Sequence, residues 1–160
     1  MPAKKLQKCR AMAAKSLVQN GDRFVVVEGA GDQIKALGGK REDADKDSWD
    51  TLSRELVEEA GLTEIKCVGG PFYHNGANYF HVTTTQTPVS RDVKVISHNL
   101  TELRSAENKD FTLKTVLSLF VKQRNFPFDM RPQMDADRQE LRDLREILSR
   151  SPSKTSIRLS

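Results

Sequence analysis

Arg54-Glu55-Leu56-Val57-Glu58-Glu59-Ala60-Gly61-Leu62 places three carboxylates and a guanidinium within one short stretch. On a helix Glu55, Glu58 and Glu59 fall within roughly one third of the circumference, with Arg54 at the edge of that arc. Trp49, Leu52, Leu56 and Ala60 form a neighbouring apolar stripe. Such a helix can rest on a core through its stripe while aiming several oxygen-rich side chains at one point. That is the chemistry that holds a hard divalent cation such as magnesium. The plainer reading is a solvated acidic face with internal i, i+4 pairs, so the surrounding elements decide.

Asp47 or Ser48 can cap the helix and Asp50 suits its positive end, so the spacing predicts a helix from Trp49 to Ala60. Gly61 is a fitting stop. Upstream, Ala11 to Val18, the turn Gln19-Asn20-Gly21-Asp22 and Arg23 to Glu28 read as a β-hairpin. A turn at residues 29–32 and an extended piece from Gln33 to Leu37 lead into Gly38-Gly39. Residues 40–46 are dense in charge and form a loop. Downstream, strands are expected at Thr63 to Val68, broken by Gly69-Gly70-Pro71, at Asn78 to Thr85 and at Asp92 to Ile96. Phe111 to Gln123 has a helical period and predicts a second core helix. Asp135 to Ser149 reads as an amphipathic helix with Leu141, Leu144 and Leu148 on one side, packed in cis by default.

The chain has 160 residues, a formal charge of +4 and two cysteines, Cys9 and Cys67, without metal spacing. That implies one core with tails, no disulfide framework, no zinc site and an intracellular, cytoplasmic setting. No apolar run is long enough for a membrane span. The charge is uneven: Lys4, Lys5, Lys8 and Arg10 at one end, and Arg150, Lys154 and Arg158 at the other, have no acids among them. The body between is mildly acidic. The expected division is a basic segment at 1–10, a catalytic-type domain at 11–126, a C-terminal helix at 127–150 and a disordered tail at 151–160.

Strand, glycine loop and helix in that order are common to several phosphate sites. A P-loop is excluded, because Gly39-Lys40 is followed by Arg41 and Ile34 stands where the first glycine belongs. A dinucleotide fingerprint fails too, since Ile34 occupies its third glycine position. Gly38-Gly39-Lys40 followed by the Arg54–Leu62 stretch instead resembles the Nudix box, G-x5-E-x7-R-E-U-x-E-E-x-G-U, with U a bulky aliphatic. The second half matches at every specified position. In the first half, Lys46 and Lys40 stand at the nominal acid and glycine positions. Sliding the loop by one residue restores Gly39 as the glycine and makes Asp45 the acid, with eight residues before Arg54 instead of seven. Leu37 stands where members of that family often have proline.

The resemblance, looser over about residues 11 to 124, implies an α/β/α sandwich with a mixed sheet, here with an extra C-terminal helix and basic tail. It implies a hydrolase, dependent on Mg2+ or Mn2+, cleaving the pyrophosphate bond of a nucleoside diphosphate joined to another moiety. Dinucleoside polyphosphates and nucleotide sugars are such small-molecule nucleotide substrates. By the same resemblance Glu55, Glu58 and Glu59, with the Gly39 carbonyl, would hold metal, and Arg54 would orient a carboxylate. The general base is left between Glu58, the first choice, and Glu102 in the stretch from Ser97 to Glu102, read as a loop. Lys40 and Arg41 could steady a phosphate, and Tyr79 stands where dinucleoside polyphosphate hydrolases often stack a base. His74, His81 and His98 read as ordinary surface or core histidines. Two competing readings are an RNA-decapping enzyme, using the basic ends, and a non-catalytic binding module, using the C-terminal helix.

Overall fold

The computed structural model describes residues 11–91, 93–123 and 138–156. Strands β1 (Ala13–Asn20) and β2 (Arg23–Glu28) form the expected hairpin, closed by Gly21 in the left-handed region at φ 64°. Short strands β3 (Ile34–Lys35) and β4 (Leu37–Lys40) follow, and then helix α1 (Ser48–Ala60). Beyond it lie β5 (Glu64–His74), β6 (Ala77–Thr83), β7 (Lys94–Asn99), helices α2 (Leu100–Ser105), α3 (Phe111–Gln123) and α4 (Arg138–Arg150), and β8 (Ser153–Thr155). The sheet runs β3-β2-β1-β6-β5-β8, with β4 also on β1 and β7 also on β2. The β1–β6 pair is parallel and the other strand pairs are antiparallel, so the sheet is mixed.

Alternation along the strands sorts the core into two layers. Val18, Val25, Leu37, Phe80 and Val82 meet Trp49, Leu52 and Leu56 of α1 and Leu144 and Leu148 of α4. Leu17, Phe24, Val26 and Tyr79 meet Leu103 of α2 and Leu113, Val116 and Leu117 of α3 on the other face. The α/β/α sandwich expected from the sequence is therefore present. Helix α1 is capped by Asp47, whose side chain accepts from Asp50 N–H, and stopped by Gly61 at φ 66°.

Several expectations are corrected. The strand predicted to break at Gly69-Gly70-Pro71 continues to His74, because two register shifts take the proline out of the ladder. The Pro71 carbonyl instead accepts from the buried Arg145 guanidinium of α4. The stretch read as a loop around Glu102 is the end of β7 and the start of α2, nucleated by a capping box between Asn99 and Glu102. Within the tail 151–160, expected to be disordered, Ser153–Thr155 form β8, since their backbone pairs with Glu64–Lys66, and Lys154 Nζ reaches Asp50 Oδ1 at 2.6 Å, while residues 157–160 lie outside the described residues. Helix α4 packs in cis, with Leu141, Leu144 and Leu148 buried. The basic segment at 1–10, Cys9 and the expected helix start at Asp135 lie outside the described residues. Cys67 is buried, and desolvation pushes its thiol up to about 12, which suits an inert core position. Among the described residues no helix is long and apolar enough to cross a membrane.

His81 on β6 is buried, its Nε2 is 2.8 Å from Gln19 Oε1, its ring meets Phe120 edge-on and its Nδ1 has no hydrogen-bond partner. Desolvation lowers its pKa from 6.5 to about 4. The unfolded chain then binds this proton more readily, so the His81 contribution to stability is lost as pH falls from 6.5 towards 4. Relative to His81→Leu, the unfolding free energy of the wild type is expected to fall by about 3 kcal/mol across that window. Parallel urea titrations at stepped pH check this, and parallel curves for the two proteins would refute it.

Candidate metal and phosphate site

The double glycine of β4 lets the acidic edge of α1 approach the sheet. Gly38 adopts φ 137°, and a Cβ there would sit 2.8 Å from the Lys15 Cα and closer still to the Ala14 carbonyl. A Cβ on Gly39 would lie 2.5 Å from Glu55 Oε2, in the space the carboxylate occupies. With both side chains absent, Gly38 N–H donates to Glu59 Oε1 at 2.9 Å. Gly38→Ala is expected to destabilise the fold by about 3 kcal/mol, through the left-handed backbone and the contact with β1. Denaturant unfolding measures this, and a midpoint within error of wild type would show that β4 can move aside.

Arg54 binds both the loop and the helix. Its Nε and one terminal nitrogen donate to the two oxygens of Asp45 at 3.2 and 2.9 Å, and the latter nitrogen also to the Lys40 carbonyl at 2.9 Å. The other terminal nitrogen lies 3.0 Å from Glu55, 3.4 Å from Glu42 and 3.5 Å from Glu58. Asp45 also accepts from Glu42 N–H and Thr51 Oγ1, each at 2.9 Å. The hydrogen bond from Arg54, with smaller help from these two and from the guanidinium charge, lowers the Asp45 pKa to about 2 against the desolvation penalty. The bidentate fork fixes the arginine plane. The sequence reading that slid the loop to make Asp45 the acid agrees with this contact, and the longer loop still delivers the acid to Arg54.

The carboxylates facing β4 are short of positive charge. Burial raises the Glu59 pKa from 4.5 to about 7, with repulsion from Glu55 and Glu58 adding to it and the Gly38 hydrogen bond and Lys15 opposing it. Burial also raises Glu55, against the pull of Arg54. Glu58 stands at the open side, its side chain 49% exposed. Lys15, which the sequence reading did not single out, has its Nζ 3.4 Å from the Gly38 carbonyl and acts electrostatically on both Glu55 and Glu59. Its signal, one lysine inside a strand of small and apolar residues, gains meaning only when the register sets Lys15 opposite Gly38.

The remaining candidates are dispersed. Tyr79 is 1% exposed and enclosed in the core, so it has no free face for a base. Arg41 is likewise corrected as a free phosphate ligand, since it forms a buried pair with Glu140. The Lys40 side chain is exposed beside the site. Glu102 caps α2 through Asn99 N–H and lies 3.8 Å from both Arg23 and His98. None of these is a residue of the glutamate cluster.

Among the described residues no three acidic, histidine or cysteine side chains are already gathered to grip an ion. Arg54 draws Glu55 and Glu58, while Glu59 is held by Gly38. The donor set nonetheless fits a hard cation: oxygen ligands, desolvated and mutually repelling, beside a backbone strip cleared by glycine.

Solved structures share this architecture. A hydrolase of the NUDIX family from Clostridium perfringens superposes with a TM-score of 0.57 at 15% identity, covering 71% of this chain and 97% of its own. The fold is the Nudix fold. A putative nudix hydrolase family member from Chromobacterium violaceum gives a TM-score of 0.56 at 16% identity over 88% of this chain and 92% of its own. A bifunctional NMN adenylyltransferase/ADP ribose pyrophosphatase from Francisella tularensis gives 0.51 at 15% identity over 75% of this chain and 43% of its own. No family model and no curated protein matches the sequence. In this Nudix fold the loop between β4 and α1, with α1 itself, forms the site described above.

Proposed function

We propose that this Nudix-fold protein is a Mg2+- or Mn2+-dependent pyrophosphohydrolase acting on a nucleoside diphosphate linked to a second moiety. The observation behind it is the pair of desolvated carboxylates, Glu55 and Glu59, pressed against the Gly38-Gly39 strip while Arg54 is locked by Asp45. Glu55, Glu58 and Glu59, with the Gly39 carbonyl, are the groups that would hold the cation. When bound, a divalent cation would neutralise phosphate charge and acidify the attacking water. Glu58, the most open of the three carboxylates, takes the proton as the water oxygen bonds to phosphorus, and the bridging P–O bond breaks to give two phosphate products. The capping role of Glu102 favours Glu58 over it as this base. Lys15 and the exposed Lys40 supply positive charge for the substrate phosphates.

The reaction class accords with the ADP ribose pyrophosphatase named for the Francisella protein, and dinucleoside polyphosphates and nucleotide sugars belong to the same class. The test is a hydrolysis screen over these three groups with Mg2+ or Mn2+, wild type against Glu59→Gln. Cation-dependent cleavage of a pyrophosphate bond by the wild type is expected. No cleavage of any substrate, with no cation binding by titration, would overturn the proposal.

A further inference from the structure

The C-terminal part of the chain is tied to the loop that holds Asp45. Arg41 and Glu140 meet at 2.7 and 3.2 Å through one guanidinium nitrogen, with side chains only 9% and 8% exposed. Glu140 Oε1 also accepts from Ser48 Oγ at 3.2 Å, and Ser48 Oγ accepts from the buried Asn78 Nδ2 at 2.8 Å. The second terminal nitrogen of Arg41 donates to the Lys46 carbonyl at 2.9 Å, and its backbone N–H to the Met12 carbonyl at 2.8 Å. Arg41 therefore spans the loop from its first residues to its last. One side of the loop is fastened to Arg54 by Asp45, and the other to α4 by Glu140. The ion pair between Lys154 and Asp50 repeats the tie at the first turn of α1.

A buried ion pair adds little net stability over apolar residues of similar volume, whereas its directional hydrogen bonds fix geometry. Loop 41–47 has few apolar anchors of its own, so its shape depends on these polar ties. We infer that Glu140 is a positioning residue for the site: through Arg41 it fixes loop 41–47, and with it the Asp45–Arg54 fork that orients Glu55 and Glu58. Helix α4 thus serves the site at which the proposed hydrolysis occurs, and the activity arm of the test rests on that reading.

The experiment uses the full chain as wild type, Glu140→Gln, Arg41→Lys and the double variant Arg41→Met with Glu140→Leu. The double variant leaves no unpaired buried charge and Arg41→Lys keeps the charge pair, so a folded protein is available even where Glu140→Gln unfolds. Amide hydrogen exchange over 41–47, Mn2+ affinity by titration, and kcat and KM are measured. In folded variants, loop exchange about tenfold faster, Mn2+ affinity about tenfold weaker and kcat reduced with KM nearly unchanged are expected. Arg41→Lys should fall between wild type and the double variant. Wild-type loop exchange and Mn2+ affinity in folded variants would overturn the inference. A wild type that hydrolyses nothing would instead sink the hydrolase reading, while exchange and Mn2+ affinity still decide the role of Glu140.

Discussion

Glu59→Gln is expected to lower metal-dependent hydrolysis by about a thousandfold while leaving the fold as stable as before or more so. The two effects share one cause. Burial and the neighbouring glutamates raise the Glu59 pKa to about 7, so its ionised form at higher pH is a charge the fold holds at a cost. The folded state binds this proton more tightly than the unfolded chain, so stability falls as pH rises from 4.5 through 7. Glutamine keeps an oxygen for Gly38 N–H and removes the charge. At pH 8 without divalent cation it should gain about 1–2 kcal/mol, after discounting for partial solvent screening. Adding Mg2+ should raise the wild-type Tm and move the variant far less, because the cation binds the folded carboxylate cluster. Thermal melts at pH 8 with and without Mg2+, beside a hydrolysis assay, measure all three. A variant that is both active and Mg2+-stabilised would move the cation away from Glu59.

Asp45→Asn is expected to have the opposite profile, with stability and activity falling together. Asp45 is nearly enclosed and accepts from Arg54 twice, from Thr51 and from the loop backbone. Removing its charge leaves Arg54 facing a weaker acceptor, at a cost of about 2–3 kcal/mol near neutral pH. The Asp45 pKa is depressed from 3.8 to about 2, so the stability it contributes is complete above 3.8 and lost as pH falls through 2. Wild type and variant should therefore draw together as pH falls from 3.8 and converge only below about pH 2. Activity should drop about 10- to 100-fold, mainly in kcat, because Arg54 orients Glu55 and Glu58 and lies outside the expected ligand set. Equal stabilities at pH 7 would show that the fork contributes nothing net.

The acid and histidine effects overlap between pH 4 and 7 with opposite signs. Glu59 makes the folded state bind a proton more tightly there, and His81 makes it bind one less tightly. A nearly flat wild-type profile across this range is thus consistent with two large shifts, and the single variants separate them.

Local chemistry announced much of the site. Asp47, Asp50 and Gly61 mark the ends of α1 through capping and backbone signals that depend only on near neighbours. The order of glycines, arginine and glutamates carried the resemblance to the Nudix box, and Asp45 was reachable by sliding the loop one residue. The Asn99–Glu102 capping box that starts α2 is equally local, although the stretch from Ser97 to Glu102 reads as a loop by its composition.

Other roles depended on the assembled sheet. Tyr79 and Lys15 are opposite each other on parallel strands, yet one is sealed beneath α3 while the other lies at the Gly38 carbonyl and acts electrostatically on Glu55 and Glu59. Arg41 was read beside the glycines as a phosphate ligand, but its partner Glu140 comes from a helix that follows α3. The tail 153–155 becomes a strand through backbone hydrogen bonds, which carry no side-chain signature. By itself the sequence determined the helix, its caps and the chemistry it offers, because turns and capping depend on residues a few positions apart. Only the tertiary structure decided which charges are desolvated, which are paired and which remain available for a substrate, because burial and pairing arise when strands and helices distant in sequence close around them.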